Sequence, residues 1–176
     1  MGIPYALKAS VLVMLVVQPG WRSVAGQCIR SEDHQEASEC CRQKPRIPKD
    51  IAHNCFKENN EKGNLGPEEL MVCVLNCAYN AMGVMNEAGE VIAEKYISSL
   101  TGLEGSMVAV VTNAAKSCAD ISADIKRDIE NVESSCNLYP TMYQICVTQL
   151  TTSNCPAEHW TKSPICDQVK AGAQPC

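Results

Sequence analysis

All twelve cysteines of this 176-residue chain lie between position 28 and its last residue, and no other feature constrains its folding as much. They stand at 28, 40, 41, 55, 73, 77, 118, 136, 146, 155, 166 and 176. The residues ahead of them have the anatomy of a secretory signal peptide: Lys8, an apolar run from Val11 to Val17, Pro19-Gly20, and the small-residue stretch Ser23-Val24-Ala25-Gly26. Seven apolar residues are too few to span a bilayer. An even cysteine count behind such a leader predicts a full set of bridges formed in an oxidising compartment, up to six of them, and excludes a cytosolic enzyme. The expected organisation is a leader over 1–25, cleaved after Ala25 or Gly26, and a single domain over 26–176. Within that domain we expect an N-terminal arm over 26–49, a helical core over 50–155 and a C-terminal extension over 156–176.

Without the leader's Lys8 and Arg22 the chain carries 13 basic and 20 acidic residues, a formal charge of −7. That acidity argues against nucleic acid and anionic membrane as partners. Zinc is disfavoured as well, because CxxC pairs are absent and His34, His53 and His159 are far apart in sequence.

Apolar periodicity predicts an all-α chain of five to seven short helices with irregular arms stapled onto it. The arm from Gln27 to Pro48 has no sustained period and reads as irregular structure. Ile51–Phe56 supports one or two helical turns before the turn chemistry of Asn59-Asn60-Glu61-Lys62-Gly63-Asn64. Pro67 followed by Glu68-Glu69 is a first-turn signature, and Gly83 is the expected stop. Between them Leu70, Cys73, Val74, Cys77, Ala78, Ala81 and Met82 share one arc. Over 90–100, Ile92, Ala93, Tyr96, Ile97 and Leu100 lie on one side. From Ser106 to Cys118 the inward set is Met107, Val108, Val110, Val111, Ala114, Ala115 and Cys118. The charged segment Ser122–Val132 reads as a short surface helix or an ordered loop. Pro140 opens a helix whose Met142, Tyr143, Cys146, Val147 and Leu150 share a face. A terminal cysteine, Cys176, suggests that the chain ties down its own end.

Catalytic constellations are missing. There is no GxSxG elbow, no HExxH helix and no phosphate-cradling glycine loop. The doublet Cys40-Cys41 is followed by Arg42-Gln43-Lys44-Pro45, without the histidine base of secreted phospholipases. Non-enzymatic function with no cofactor is therefore expected. A disulfide-locked helical shell suits an apolar cavity, since bridges supply stability that a continuous core would otherwise give.

The cysteine spacing resembles that of the insect odorant-binding proteins. Cys73-x3-Cys77 on one helix, the 40-residue gap to Cys118, and Cys146-x8-Cys155 carry the resemblance. Cys136 before Cys146, Pro156 directly after Cys155, and Cys166 look like the Plus-C subfamily. The family pairs its six core cysteines first with third, second with fifth and fourth with sixth. Carried over by position, this implies Cys55–Cys77, Cys73–Cys146 and Cys118–Cys155. Cys28, Cys40, Cys41, Cys136, Cys166 and Cys176 form further bridges, and only a direct 40–41 bond is sterically disfavoured.

The resemblance implies a secreted carrier that takes small hydrophobic odorants or pheromones through sensory lymph toward a receptor. A small volatile ligand is the expected partner, with an odorant receptor or another odorant-binding protein as further candidates, and no stable membrane insertion. The expected ligand lining is Met82, Tyr96, Ile97, Leu100, Met107, Val110, Val111, Ala114, Met142, Tyr143 and Val147, with Trp160 as a cover or tail anchor. Tyr96 and Tyr143 offer hydroxyls, and flexible methionines adapt to varied shapes. Because Cys166 and Cys176 fix the tail, affinity should change little between neutral and mildly acidic pH unless His159 stands at the entrance. The competing expectation is a secreted antagonist or scavenger with a solid core and an external working surface.

Overall fold

The computed structural model describes residues 28–103, 105–173 and 176, so the expected leader lies outside the described residues. Among the described residues eight α-helices follow one another: α1 (His34–Ser38), α2 (Lys49–Glu61), α3 (Pro67–Ala81), α4 (Ala93–Ser99), α5 (Ser106–Asp120), α6 (Ser122–Ile129), α7 (Tyr139–Ser153) and α8 (Pro164–Lys170). Single 3-10 turns precede α1 and α8. Among the described residues no strand forms; the extended chain makes two isolated bridges, Cys41 with Trp160 and Met85 with Val91.

The all-α expectation holds, and the helix count rises above it because both arms contain helix. Residues 31–38 form helical turns where irregular structure was expected. The tail forms α8, whose start Ser163-Pro164 is a capped turn with Ser163 Oγ accepting from the Cys166 amide at 3.2 Å. Helix α2 runs for 13 residues, about three and a half turns instead of the expected one or two. Asn59 does not break it: the side chain is buried and its Nδ2 donates to the Cys55 carbonyl at 2.8 Å. The chain turns only at Gly63 and Asn64, both at positive φ.

Helix α3 starts at Pro67 and stops where Gly83 predicts. The amide of Gly83 donates to the Asn80 carbonyl and that of Val84 to the Tyr79 carbonyl, the Schellman arrangement that needs a left-handed residue at Gly83, whose φ is +67°. This helix buries two faces rather than one. Val74 and Ala78 form a small cluster with Cys55 of α2, while Tyr79 joins the main core. Ala81, expected to face inward, is exposed because it lies off both faces. On α5, Val108 is likewise exposed, whereas Met107, Val111, Ala114, Ala115 and Cys118 are buried. That arc faces α7, the principal partner of α5, and Val108 falls just outside it.

Six disulfides join Cys28–Cys176, Cys40–Cys166, Cys41–Cys155, Cys55–Cys77, Cys73–Cys136 and Cys118–Cys146. Cys55–Cys77 is as the resemblance implied. The other two implied pairs, Cys73–Cys146 and Cys118–Cys155, are not formed. Cys146 is on α7, which packs along α5 and meets Cys118 there, while Cys155 lies past the end of α7 beside Cys41. The partner of Cys73 is Cys136, in the loop ahead of α7. That loop is held against α3 by Glu69, whose carboxylate accepts from Ser134 Oγ at 3.0 Å and from the Ser135 amide. The rule of first with third, second with fifth and fourth with sixth therefore applies when Cys136 and Cys146 are the fifth and sixth members.

Candidate functional site

Eleven of the twelve expected lining residues pack in one cluster: Met82, Tyr96, Ile97, Leu100, Met107, Val111, Ala114, Met142, Tyr143, Val147 and Trp160. Val110 stands outside it, half-buried. The centre of the cluster holds aromatic side chains. Tyr79 stacks on Tyr96 at 5.7 Å between centroids, Tyr96 meets Tyr143 edge to face at 5.5 Å, and Tyr139 stacks on Tyr143 at 6.4 Å. Tyr79 and Tyr139 were not among the expected residues.

Burial pushes all four phenols above their ordinary range, with neighbouring tyrosines adding to the effect on Tyr79 and Tyr143. Each inner hydroxyl has an assigned partner. Tyr143 Oη donates to the Ala115 carbonyl at 2.9 Å. Tyr79 Oη donates to Gln144 Oε1, and Tyr96 Oη reaches the same oxygen at 3.5 Å. Gln144 Nε2 in turn donates to Thr148 Oγ1 at 3.3 Å. Thr148 Oγ1 also accepts from Arg46 Nη1 at 3.2 Å, and Arg46 Nη2 donates to Gln43 Oε1 at 2.5 Å. A continuous polar chain thus runs from Gln43 in the N-terminal arm to the buried tyrosines.

Gln43 lines a recess of about 290 Å³ together with Arg42, Lys44, Gly102, Leu103, Met107 and His159. The recess therefore reaches the core directly, because Met107 is a buried member of the main cluster and Leu103 packs against it. Gly102 has φ +77°, and a Cβ there would stand 3.4 Å from Lys44 Cδ. Glycine at this position lets the loop turn and the lysine stem lie flat on it. Opposite, the backbone pairing of the Cys41–Trp160 bridge sets the wall: the Arg42 amide donates to the His159 carbonyl at 2.9 Å and the Thr161 amide to the Cys40 carbonyl at 2.8 Å. Arg42 Nη2 also donates to the Glu158 carbonyl at 3.2 Å. The Glu158 carboxylate is engaged by Ser106 Oγ, which together with nearby His159 holds it below its ordinary range.

A second recess of about 330 Å³ shares Arg42 and Gln43 and is otherwise lined by Glu36, Ser38, Glu39, Cys41 and Thr161. The strand of chain at Arg42-Gln43 thus separates an acidic, polar recess from one with an apolar floor and a basic rim. Of the expected lining residues only Met107 opens onto the latter. His159 lines it. His53 is exposed on α2. Trp160 is half-buried against the main cluster with the Lys170 ammonium 5.6 Å from its ring centroid.

Among the described residues no group of three or more histidines, cysteines or carboxylates could hold a metal ion, no helix is long and apolar enough to cross a membrane, and no cysteine is free. The model of the PBP/GOBP family matches residues 29–149 of the chain. No curated protein and no solved structure matches it.

Proposed function

The chain belongs to the PBP/GOBP family, the insect odorant- and pheromone-binding proteins, and from that premise we propose that it is a secreted carrier of small hydrophobic ligands of the Plus-C type. The family is one of binding carriers rather than enzymes. In this reading the protein takes up an odorant or pheromone in sensory lymph and delivers it toward a receptor. The observation that carries it is the recess whose floor, Leu103 and Met107, belongs to the main apolar cluster. At about 290 Å³ it lies at the small end of ligand sites, which favours compact volatile molecules over long lipids.

The energetics suit reversible capture. A guest hiding roughly 250 Å² of apolar surface gains about 6 kcal/mol on transfer. With one or two hydrogen bonds, and after ordering costs, this approaches micromolar affinity. The flexible Met107 side chain adapts to different guests and, by moving, extends the recess toward Val111 and Tyr143.

The test is displacement of an apolar fluorescent probe, N-phenyl-1-naphthylamine, by a panel of volatile alcohols and esters. One saturable site is expected. Leu103→Trp, which fills the recess from its loop, should abolish that site while leaving the helical signal intact. Absence of saturable probe binding would refute the carrier reading and favour a secreted interaction protein that works through its outer surface.

A further inference from the structure

We propose that the recess selects ligands with an acidic head, a carboxylate on a short alkyl chain, and that Arg46 is the group that receives the head. The inference rests on the carrier reading and adds the ligand's chemical class. Arg46 is 9% exposed, so its guanidinium has been taken out of water. Among the described residues it makes no ion pair. Its neighbours are neutral: the Thr148 hydroxyl on Nη1, the Gln43 amide oxygen on Nη2 and the nearby Tyr96 phenol, while Nε is buried with no hydrogen-bond partner. A buried cation without a counter-ion is costly, and native folds pair such charges.

Arg46 is not itself among the residues lining the recess; Gln43, which lines it, connects the two by accepting from Arg46 Nη2. Its side chain has one bond to release. A ligand carboxylate entering over Leu103 and Met107 can take the place of Gln43 Oε1 on Nη2 and reach Nε with its second oxygen, the two-point geometry that guanidinium and carboxylate favour. Arg42 adds positive charge at the rim. On a chain whose overall charge is −5, a basic rim around an apolar floor is a local reversal of sign, and it draws anions to one place. The Glu158 carboxylate, next to His159 in the chain, is engaged by Ser106 Oγ.

The experiment compares decanoic acid with decan-1-ol as competitors for N-phenyl-1-naphthylamine at neutral pH and low salt, on the full disulfide-bonded protein. The acid is expected to bind about tenfold more tightly than the alcohol, the difference a charge-assisted pair supplies over a neutral hydrogen bond. In Arg46→Met the acid-to-alcohol ratio should fall toward one. Gln43→Glu supplies Arg46 with a built-in counter-ion and should remove the preference in the same way; it serves as the deciding variant if Arg46→Met does not fold. Lys57→Gln, an equal charge change on exposed α2, should leave the ratio near ten. Equal displacement by acid and alcohol from a protein that binds the probe overturns this proposal and leaves the carrier reading standing. Failure to bind the probe overturns the carrier reading and the proposal with it. A preference that survives Arg46→Met or Gln43→Glu, or that falls as far in Lys57→Gln, also overturns the proposal.

Discussion

Four tyrosines lie among the described residues, at 79, 96, 139 and 143, and all four sit in the core with phenols pushed above their ordinary range. The sign of the consequence is fixed. A phenol whose folded pKa is raised stays neutral in the fold and ionises in the unfolded chain. Its contribution to stability is therefore fully present below about pH 10 and is lost as pH rises beyond that value. Tyr79, Tyr96 and Tyr143 are 0% exposed. Each of these three costs about 1.4 kcal/mol of stability per pH unit above 10, together about 4 kcal/mol per unit. Two units erase about 8 kcal/mol, which is comparable to the whole stability of a small domain. We expect a stopped-flow pH jump, read by phenolate absorbance and helical circular dichroism together, to show no ionisation up to about pH 10.5 and then one cooperative step near pH 12. The step should carry four phenolates, or three in Tyr139→Phe. Phenolate absorbance rising with an ordinary midpoint near pH 10 while the helical signal persists would refute the buried-tyrosine core.

Further outcomes follow from individual contacts. Gly89→Ala should destabilise the fold by about 2–3 kcal/mol in thermal melts, because φ is +79° there and the added Cβ would stand 2.5 Å from Asn137 Nδ2, which donates to the Gly89 carbonyl. Non-reducing peptide mapping should recover Cys73 linked to Cys136 and Cys118 linked to Cys146; Cys73 joined to Cys146 instead would overturn the packing of the loop ahead of α7. Arg46→Met should leave the melting temperature unchanged or raise it, since an apolar chain of similar length replaces a buried cation that lacks a carboxylate; a loss above about 3 kcal/mol would mean the cation is paired. Removing Cys118–Cys146 should cost more than removing Cys28–Cys176, although the latter closes the longer loop. Cys118 is fully buried between α5 and α7, while Cys28–Cys176 joins only the two ends. Melting curves of the two double cysteine-to-alanine variants decide it.

The parts of the fold legible in the sequence are those punctuated by proline and glycine. Pro67 and Gly83 bracket α3, and Pro140 marks α7 to within a residue. Tyr79 lies off the single arc that Cys73 and Cys77 define on α3. Val72, Leu75, Tyr79 and Met82 form a second stripe at helical spacing, visible in the sequence and explained by α3 packing against α2 on one side and α7 on the other. The two implied disulfides that do not form rest on the interval Cys146-x8-Cys155, and Cys136 and Cys146 are nearly as far apart. Interval length cannot separate those registers; contact between α5 and α7 does. The Gln43–Arg46–Thr148–Gln144 chain joins the arm to α7 across about 100 residues, and no local pattern announces it.

The extra cysteines and the recess share one origin in the fold. Three bridges, Cys55–Cys77, Cys73–Cys136 and Cys118–Cys146, tie α2, α3, α5 and α7 and follow the family's rule of pairing. The other three tie the N-terminal arm to the C-terminal tail. Arg42, Gln43 and Lys44 come directly after Cys40 and Cys41, and His159 lies between their partners Cys155 and Cys166. Four of the seven recess residues are thus set by the arm–tail bridges, while the floor at Met107 belongs to the helical core. The division has a mechanical meaning. Helical packing alone provides an apolar floor, and cross-linking two polar segments over its edge converts that floor into a rimmed site whose charge can differ from the rest of the surface. On the proposed carrier reading, selectivity for a ligand head would reside in the stapled arms and affinity for its apolar body in the core.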